Sequence, residues 1–591
     1  MSKRVFIAFL FILALGAFFR FYLITEFPLG LYPDEAMNGN NALEALETGN
    51  FKIFYPENNG REGLFINIQA ISVWFFGNEA WALRLISAIF GTLTILGVFL
   101  LTKELFTAQN PKSEALNPKQ IQNSNVSNSK PFRISNLEFR VYHAEIIALL
   151  SSFFLAVSYW HINFSRIGFR AITVPMLATF GLYFLLKGLR RGKILDLVWA
   201  GIFIGLGFHT YIAFRFMPFV LAVPLAWYLW KRWKERQMIG SRTSYHFYCT
   251  PCAILLFIFI TFVVALPIGY YFLQNPGDFL GRSGQVSIFS AESPLIEFAK
   301  SNIATMGMFF VHGDCNFRHN YACQPELHPI VAFFFLIGLL TALVAVVQKL
   351  KIKNSPGQSQ DTKILHFAFC ILLLWLTFMS LPATLTREGL PHALRSIGMI
   401  PPVMILAGLG AERMLNFILQ WFEKQKEKWP TRIMQLGRIQ IEITILFIGA
   451  LLFIPLATYA TYFIRWAQNP DTYFAFSTDL RHLGEYLNTL SPEIKKYVIV
   501  NLDGVEVRGL PMPAQTVIFL TNTFTEKERN KKNIEYLTAN DLQDKLKVVN
   551  GQKTVITFLK GSDRPLLQAV KKIAPNFKGW APSDFVLLQN Y

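Results

Sequence analysis

The chain has 591 residues, of which 52% are hydrophobic, 15% aromatic and only 16% charged, and its mean hydropathy is +0.34. That composition excludes an ordinary soluble globular protein and points to a polytopic membrane protein. The net charge of +18 does not argue for nucleic acid as a partner, because Lys and Arg are dispersed through short segments between apolar runs, as in cytoplasmic loops.

The N-terminus Met1-Ser2-Lys3-Arg4, followed by apolar Val5 to Phe19, has the layout of an export signal, with small residues at Ala14 to Ala17. The apolar run continues through Ile24 and reaches spanning length, which predicts a retained first span near 5–24 that starts in the cytoplasm. It delivers the segment 25–63 to the outer face. There Pro33 before Asp34-Glu35 marks a helix start, Ala36, Leu43 and Leu46 give an apolar stripe, and Gly49 is placed as a C-cap. Tyr55 to Gly63 then packs Glu57, Arg61 and Glu62 into a turn-rich loop. Two roles stay open for Asp34: capping the helix, or serving as an ionised acid beside a lipid substrate.

Leu64 to Phe76 is too short to cross a bilayer and reads as a juxtamembrane helix. A second span lies near 81–101. The stretch to Arg140, with Lys112, Lys119, Lys130, Arg133 and an Asn/Ser/Gln-rich tract at 117–130, reads as a flexible cytoplasmic linker. Further spans are placed near 143–161, 172–187, 194–211, 214–230, 252–273, 329–348, 364–381, 396–411 and 441–464, about eleven in all, with the basic loops on one face. From Asp471 the composition turns soluble. Strands are expected at Tyr497–Asn501, Thr516–Leu520, Leu546–Asn550 and Thr554–Leu559, and helices at Leu480–Leu490 and Leu566–Ile573. The expected architecture is thus an all-α membrane domain, 1–465, followed by a small extracytoplasmic α/β domain, 466–591. No nucleotide-binding glycine fingerprint is present in it.

The outer loops and outer span ends collect unusual polar residues: Arg166, Arg170, Arg215, His312, Asp314, Arg318, His319, Arg387, His392 and Arg395. Arginines on the outer face run against the charge bias, and their planar forks match phosphate oxygens; lipid headgroups are the alternative partner for any single one. His312, Asp314 and His319 have the chemistry of a divalent metal site, although their spacing matches no standard zinc pattern. Cys315 and Cys323 share one outer loop and are expected to form a disulfide. Cys249 and Cys252 read as two small buried residues in preference to a redox pair.

Tyr32-Pro33-Asp34-Glu35-Ala36, Leu46-Glu47-Thr48-Gly49-Asn50, Phe75-Phe76-Gly77-Asn78-Glu79-Ala80 and Ala82-Leu83-Arg84-Leu85-Ile86-Ser87-Ala88 together resemble the lipid-carrier-dependent GT-C glycosyltransferases. The resemblance is to the protein O-mannosyltransferase and aminoarabinose lipid A transferase branch and covers about residues 5–106. It implies a multi-pass plasma-membrane enzyme that uses a polyprenyl-phosphate sugar and an acid in the first outer loop. Asp34 occupies the place of that acid, with Glu35 beside it. The chain departs from the lipid A branch at Arg61-Glu62-Gly63-Leu64, where relatives often carry Glu-Lys-Pro-Pro. The expectation is an inverting transferase acting on a hydroxyl of a protein, lipid or cell-envelope glycan. Glu57, Arg61, Glu62 and the outer arginines and histidines would bind substrate, with no cofactor implied beyond the possible metal. The alternatives are a lipid-linked-sugar flippase, which calls for charges at mid-membrane and repeated broken helices, or a transferase of the O-antigen-ligase type.

Overall fold

The first apolar run coils into α1 (Lys3–Phe21), and the Ser2 hydroxyl accepts the Val5 amide at its start. The computed structural model describes residues 2–107, 136–238, 249–285, 287–351, 360–549, 551–581 and 584–591; the linker expected around Lys112 to Arg133 lies outside them. The acidic segment becomes α2 (Pro33–Thr48), opened by Pro33 and closed by Gly49 at φ +71°, the left-handed position glycine fills without strain. The turn-rich loop is a hairpin of β1 (Phe54–Tyr55) and β2 (Arg61–Glu62). Its chain reversal runs through Asn58, Asn59 and Gly60, all at positive φ, which the Asn-Asn-Gly sequence tolerates. Next, α3 (Gly63–Phe76) has 14 residues, about 21 Å of helix against a hydrocarbon core of about 30 Å. It ends in exposed Trp74, Phe75 and Phe76.

The bundle continues through α4 (Ala80–Phe106), α5 (Asn136–Ala156), α6 (Tyr159–Phe164), α7 (Thr173–Arg191), α8 (Ile194–Gly207), α9 (Met217–Met238) and α10 (Thr250–Gln274). Two surface helices, α11 (Pro276–Gln285) and α12 (Pro294–Gly307), precede α13 (Pro329–Lys351), α14 (Gln360–Thr384), α15 (Ile400–Lys428) and α16 (Ile433–Tyr459). Among the described residues nine helices are long and apolar enough to cross a membrane, and a tenth span forms if the α5–α6 pair, bent by 59°, counts as one. The protein is a multi-pass membrane protein. The expected crossing at 194–211 is only the 14-residue α8, so the count of eleven exceeds what length supports. Cys249 and Cys252, expected to be buried, are exposed and joined to each other.

Charge inside the bundle follows the backbone breaks. Arg20, fully buried, donates to Gly16 O at 2.8 Å, Ala156 O at 3.1 Å and Leu155 O at 3.2 Å. It thereby satisfies carbonyls freed where α5 ends.

The soluble region adds α17 (Pro470–Ala475), α18 (Thr478–Thr489), β3 (Lys495–Val500), β4 (Glu506–Val507), β5 (Leu510–Pro511), α19 (Ala514–Leu520), α20 (Glu526–Lys532), β6 (Ile534–Thr538), α21 (Leu542–Lys545), β7 (Thr554–Phe558), α22 (Arg564–Ile573), β8 (Lys578–Trp580) and β9 (Leu587–Gln589). Five strands form one sheet in the order β6-β3-β7-β9-β8, parallel at β6-β3-β7 and antiparallel at β9 and β8. Alternate residues serve opposite faces: Val498 and Val500 pack with Leu480 and Val517, while Tyr497 and Ile499 pack with Leu542 and Val570. The run Thr516–Leu520, expected as a strand, is instead the greater part of α19, a helix of 7 residues that are all buried. Leu546 to Val549 form no strand, and β6 was not anticipated.

This domain sits on α2. The Thr516 hydroxyl donates to Leu31 O at 2.9 Å, Asn40 Nδ2 reaches Gln515 Oε1 at 3.0 Å, and Asn78 Nδ2 reaches Leu520 O at 2.6 Å. Gly39 lets the Phe519 ring close in, since a Cβ there would meet Phe519 Cε2 at 2.4 Å. Arg508 forks onto Glu44 at 2.8 and 2.9 Å and reaches Glu57 at 2.8 Å.

Candidate active site

Between α2, the β1–β2 hairpin, the start of α7 and the soluble domain lies a cavity of about 570 Å³. Asp34, Asn58, Arg61 and Arg170 line its membrane side, and Ser477, Asp479 and Asp503 line it from the soluble domain. Asp34 sits at the second residue of α2, where exposed N–H groups favour a negative charge. It makes no cap, because the N-cap residue is Tyr32 and no side chain closes that end. Instead Asn58 Nδ2 donates to Asp34 Oδ1, and Tyr32 shares a side-chain hydrogen bond with the same carboxylate. Burial and the Asp34 carboxylate push the Tyr32 hydroxyl up to about 12 against the opposing pull of Arg318. Tyr32, also on the cavity wall, is therefore a neutral group.

Arg61 is 2% exposed, yet its side chain is held by amides: Nη1 donates to Asn38 Oδ1 at 2.7 Å and Nη2 to Asn41 Oδ1, while Nε reaches Glu57 O at 3.4 Å. Burial and the neighbouring Arg170 pull its pKa down to about 9. Arg170 itself donates from Nε to Glu62 Oε2 at 2.9 Å and stands over the Tyr211 ring. Two guanidinium groups therefore share one wall with the Asp34 carboxylate, Glu62 being paired to Arg170, and their planar forks suit the oxygens of a phosphate.

No family model matches the sequence, and no curated protein matches it. Among solved structures, the chain matches ArnT from Cupriavidus metallidurans bound to undecaprenyl phosphate, with a TM-score of 0.51, 13% identity and coverage of 100% of this chain and 99% of that one. The apo state of the same ArnT gives a TM-score of 0.49 at 13% identity over 96% of each chain. The fold is the GT-C fold of ArnT. Its correspondence runs from end to end, so it includes the soluble domain, which the sequence left without a counterpart.

Within this GT-C frame the predicted site residues separate. Asp34, Arg61 and Arg170 meet in the cavity. Glu35 does not: fully buried, it accepts Arg84 Nε at 2.9 Å, Arg84 Nη2 at 3.2 Å and the Gly168 amide at 2.9 Å. Glu57 faces Arg508 and Asn41, and Glu62 is held by Arg170. Arg166 donates to Tyr462 Oη and to the carbonyls of Phe19, Arg20, Leu23 and Phe27 at 2.9 to 3.2 Å, so all five of its N–H groups are engaged with the protein. Arg318 stacks over Tyr32 at 4.0 Å. Arg215 donates to Phe279 O, Arg395 to Thr386 and Glu388 O, and Arg387 is exposed.

The three candidate metal ligands do not all meet. His312 stands beside the Cys315–Cys323 disulfide, and His392 takes its place near Asp314 and His319, whose ligand atoms with those of His392 lie within 4.8 Å. Asp314 already accepts His319 Nδ1 at 2.8 Å and the Ala393 and Asn316 amides at 2.9 Å, closing two loops together. Among the lining residues that sequence reasoning missed are Ser477, Asp479 and Asp503, from a domain with no motif to mark them. For Arg20 and Arg84 a signal did exist, because a charge within an apolar run needs a buried partner.

Proposed function

We propose that the chain transfers a sugar from a polyprenyl-phosphate carrier to a hydroxyl of a protein, lipid or cell-envelope glycan at the outer face of the plasma membrane. The N-terminus would be cytoplasmic and the C-terminal domain extracytoplasmic. The observation that carries this reading is that one cavity holds the Asp34 carboxylate together with the guanidinium groups of Arg61 and Arg170. It gains support from the GT-C fold, since the matched ArnT is described as bound to undecaprenyl phosphate.

In the proposed reaction the carrier phosphate docks against Arg61 and Arg170. Three of the five N–H groups of Arg61 are used within the protein, leaving two for phosphate oxygens. The acceptor oxygen attacks the anomeric carbon from the face opposite the phosphate, and its proton passes to the Asp34 carboxylate. The bond from the anomeric carbon to the phosphate oxygen breaks with its electron pair going to the lipid phosphate, so configuration inverts. Asp479 and Asp503, across the cavity, suit the hydroxyl groups of the sugar or acceptor. The test is to incubate the purified full chain with a panel of radiolabelled polyprenyl-phosphate sugars and a membrane extract. Transfer of label from one donor to a hydroxyl acceptor is expected; translocation of the intact lipid-linked sugar without transfer would overturn the reading in favour of a flippase.

A further inference from the structure

A second cavity of about 250 Å³ shares no lining residue with the first. It lies between the broken α5–α6 junction, the loop entering α13, and α16. The outward side of α16 exposes Leu446, Leu452, Phe453 and Leu456, and the helix widens to a π-helical stretch over Ala460–Trp466 where it passes the cavity. Such a widening re-aims side chains and is often found at functional sites. The same helix thus lines the cavity on one side and turns an apolar face outward on the other.

Two of its lining residues end in polar atoms that are buried and lack a protein partner among the described residues: Tyr159 Oη and Glu326 Oε2. Glu326 is 2% exposed, and its other oxygen accepts the Asp314 amide at 3.0 Å. Burial, with the Asp314 carboxylate nearby, pushes the Glu326 carboxyl well above its ordinary range, so it offers a hydroxyl donor rather than a charge. Burial pulls His328, also on the wall, downward and keeps it neutral. The lining contains no Lys or Arg among the described residues, so a phosphate would find no counter-charge here. The space far exceeds the roughly 30 Å³ of one water molecule, and leaving two buried polar groups unmatched is costly. What fits is a neutral group with several hydroxyls, each able to donate and accept.

We propose that this cavity is a second binding site, which takes an uncharged hydroxylated group through Tyr159 Oη and Glu326 Oε2, either the sugar or glycerol headgroup of a membrane lipid or a free polyol. The proposal is independent of the transfer reaction, and its test reads no activity. The full chain is placed in nanodiscs of phosphatidylcholine alone, in nanodiscs with added monoglucosyldiacylglycerol, and in phosphatidylcholine nanodiscs with free glucose or glycerol in the buffer. The melting temperature should rise with the glucolipid, as for any ligand that binds the native state. A rise with the glucolipid alone identifies a lipid headgroup, and an equal rise with free polyol identifies a soluble ligand. The double variant Tyr159→Phe/Glu326→Leu should lose the response while melting no lower than the parent in phosphatidylcholine, because two unmatched polar groups are gone. A parent unresponsive in both arms, or a variant that responds like the parent, overturns the proposal and leaves the cavity to water. Should that variant fail to fold, the parent alone decides: a glucolipid with a photoreactive group on its headgroup should label residues 154–161, 320–331 or 454–461, and labelling confined elsewhere overturns it.

Discussion

Arg166 donates all five N–H groups to the end of α1, to the segment that follows it and to Tyr462, whereas Arg61 keeps two N–H groups uncommitted beside Asp34. The two should therefore fail differently. Arg61→Lys keeps the charge but loses the fork, and is expected to weaken retention of polyprenyl phosphate by about tenfold while the protein stays folded; binding of the labelled lipid phosphate to purified variants measures it. Arg166→Lys should instead lower the yield of folded protein, with donor affinity unchanged in the fraction that folds. Glu35 belongs with Arg166: Glu35→Gln leaves Arg84 buried with an unmatched charge, a loss of about 3–5 kcal/mol. A shift of the denaturation midpoint in detergent reads this, and an unshifted midpoint would place Glu35 outside the core. Asp34 and Glu35 are adjacent in sequence, but a helix turns about 100° per residue, so one faces the cavity and the other the bundle. The acidic pair was legible; which acid faced which way depended on Gly168 and Arg84, residues far along the chain.

At the scale of elements, the contact that positions the cavity is α19 on α2. Phe519 fills the space that Gly39 leaves, with Met37 and Ala36 also buried at this junction. Gly39→Leu should push the soluble domain off α2 and raise proteolysis of residues beyond 466. Phe519→Ala in the same chain should restore part of the resistance, since the two changes share one contact; no rescue would mean that the domains dock elsewhere. Helix α2 itself could be read from Pro33 and Gly49, because caps are local signals. Helix α19 could not. Its run Thr516-Val517-Ile518-Phe519-Leu520 is apolar all round and rich in β-branched residues, so periodicity cannot separate a buried strand from a buried helix. The Pro513 start and the packing of Phe519 over Gly39 decided it.

For the whole molecule, the proposed topology, argued from the basic loops, puts the soluble domain and the cavity opposite the Arg190-Arg191 end of α7 across the membrane. A reporter active only in the cytoplasm, fused after Tyr591, should be silent; activity there would reverse the orientation. Apolar run length found the spans, and α8 shows where it fails, since a 14-residue helix can be covered by neighbours rather than by lipid. The same limits apply to the site as a whole: Asp34, Asn58 and Arg61 lay within one continuous acidic segment, but Arg170 joins them from more than 100 residues away and the outer wall comes from residues about 440 to 470 positions later, brought back by folding alone. The central claim rests on Asp34 acting as a base. Asp34→Asn keeps the size of the side chain and loses the proton acceptor. The measurement is the rate of sugar transfer by the purified variant, alongside its binding of labelled polyprenyl phosphate. The account predicts unchanged lipid binding and transfer slowed by about 10² to 10⁴; transfer at more than about a tenth of the parent rate would contradict it.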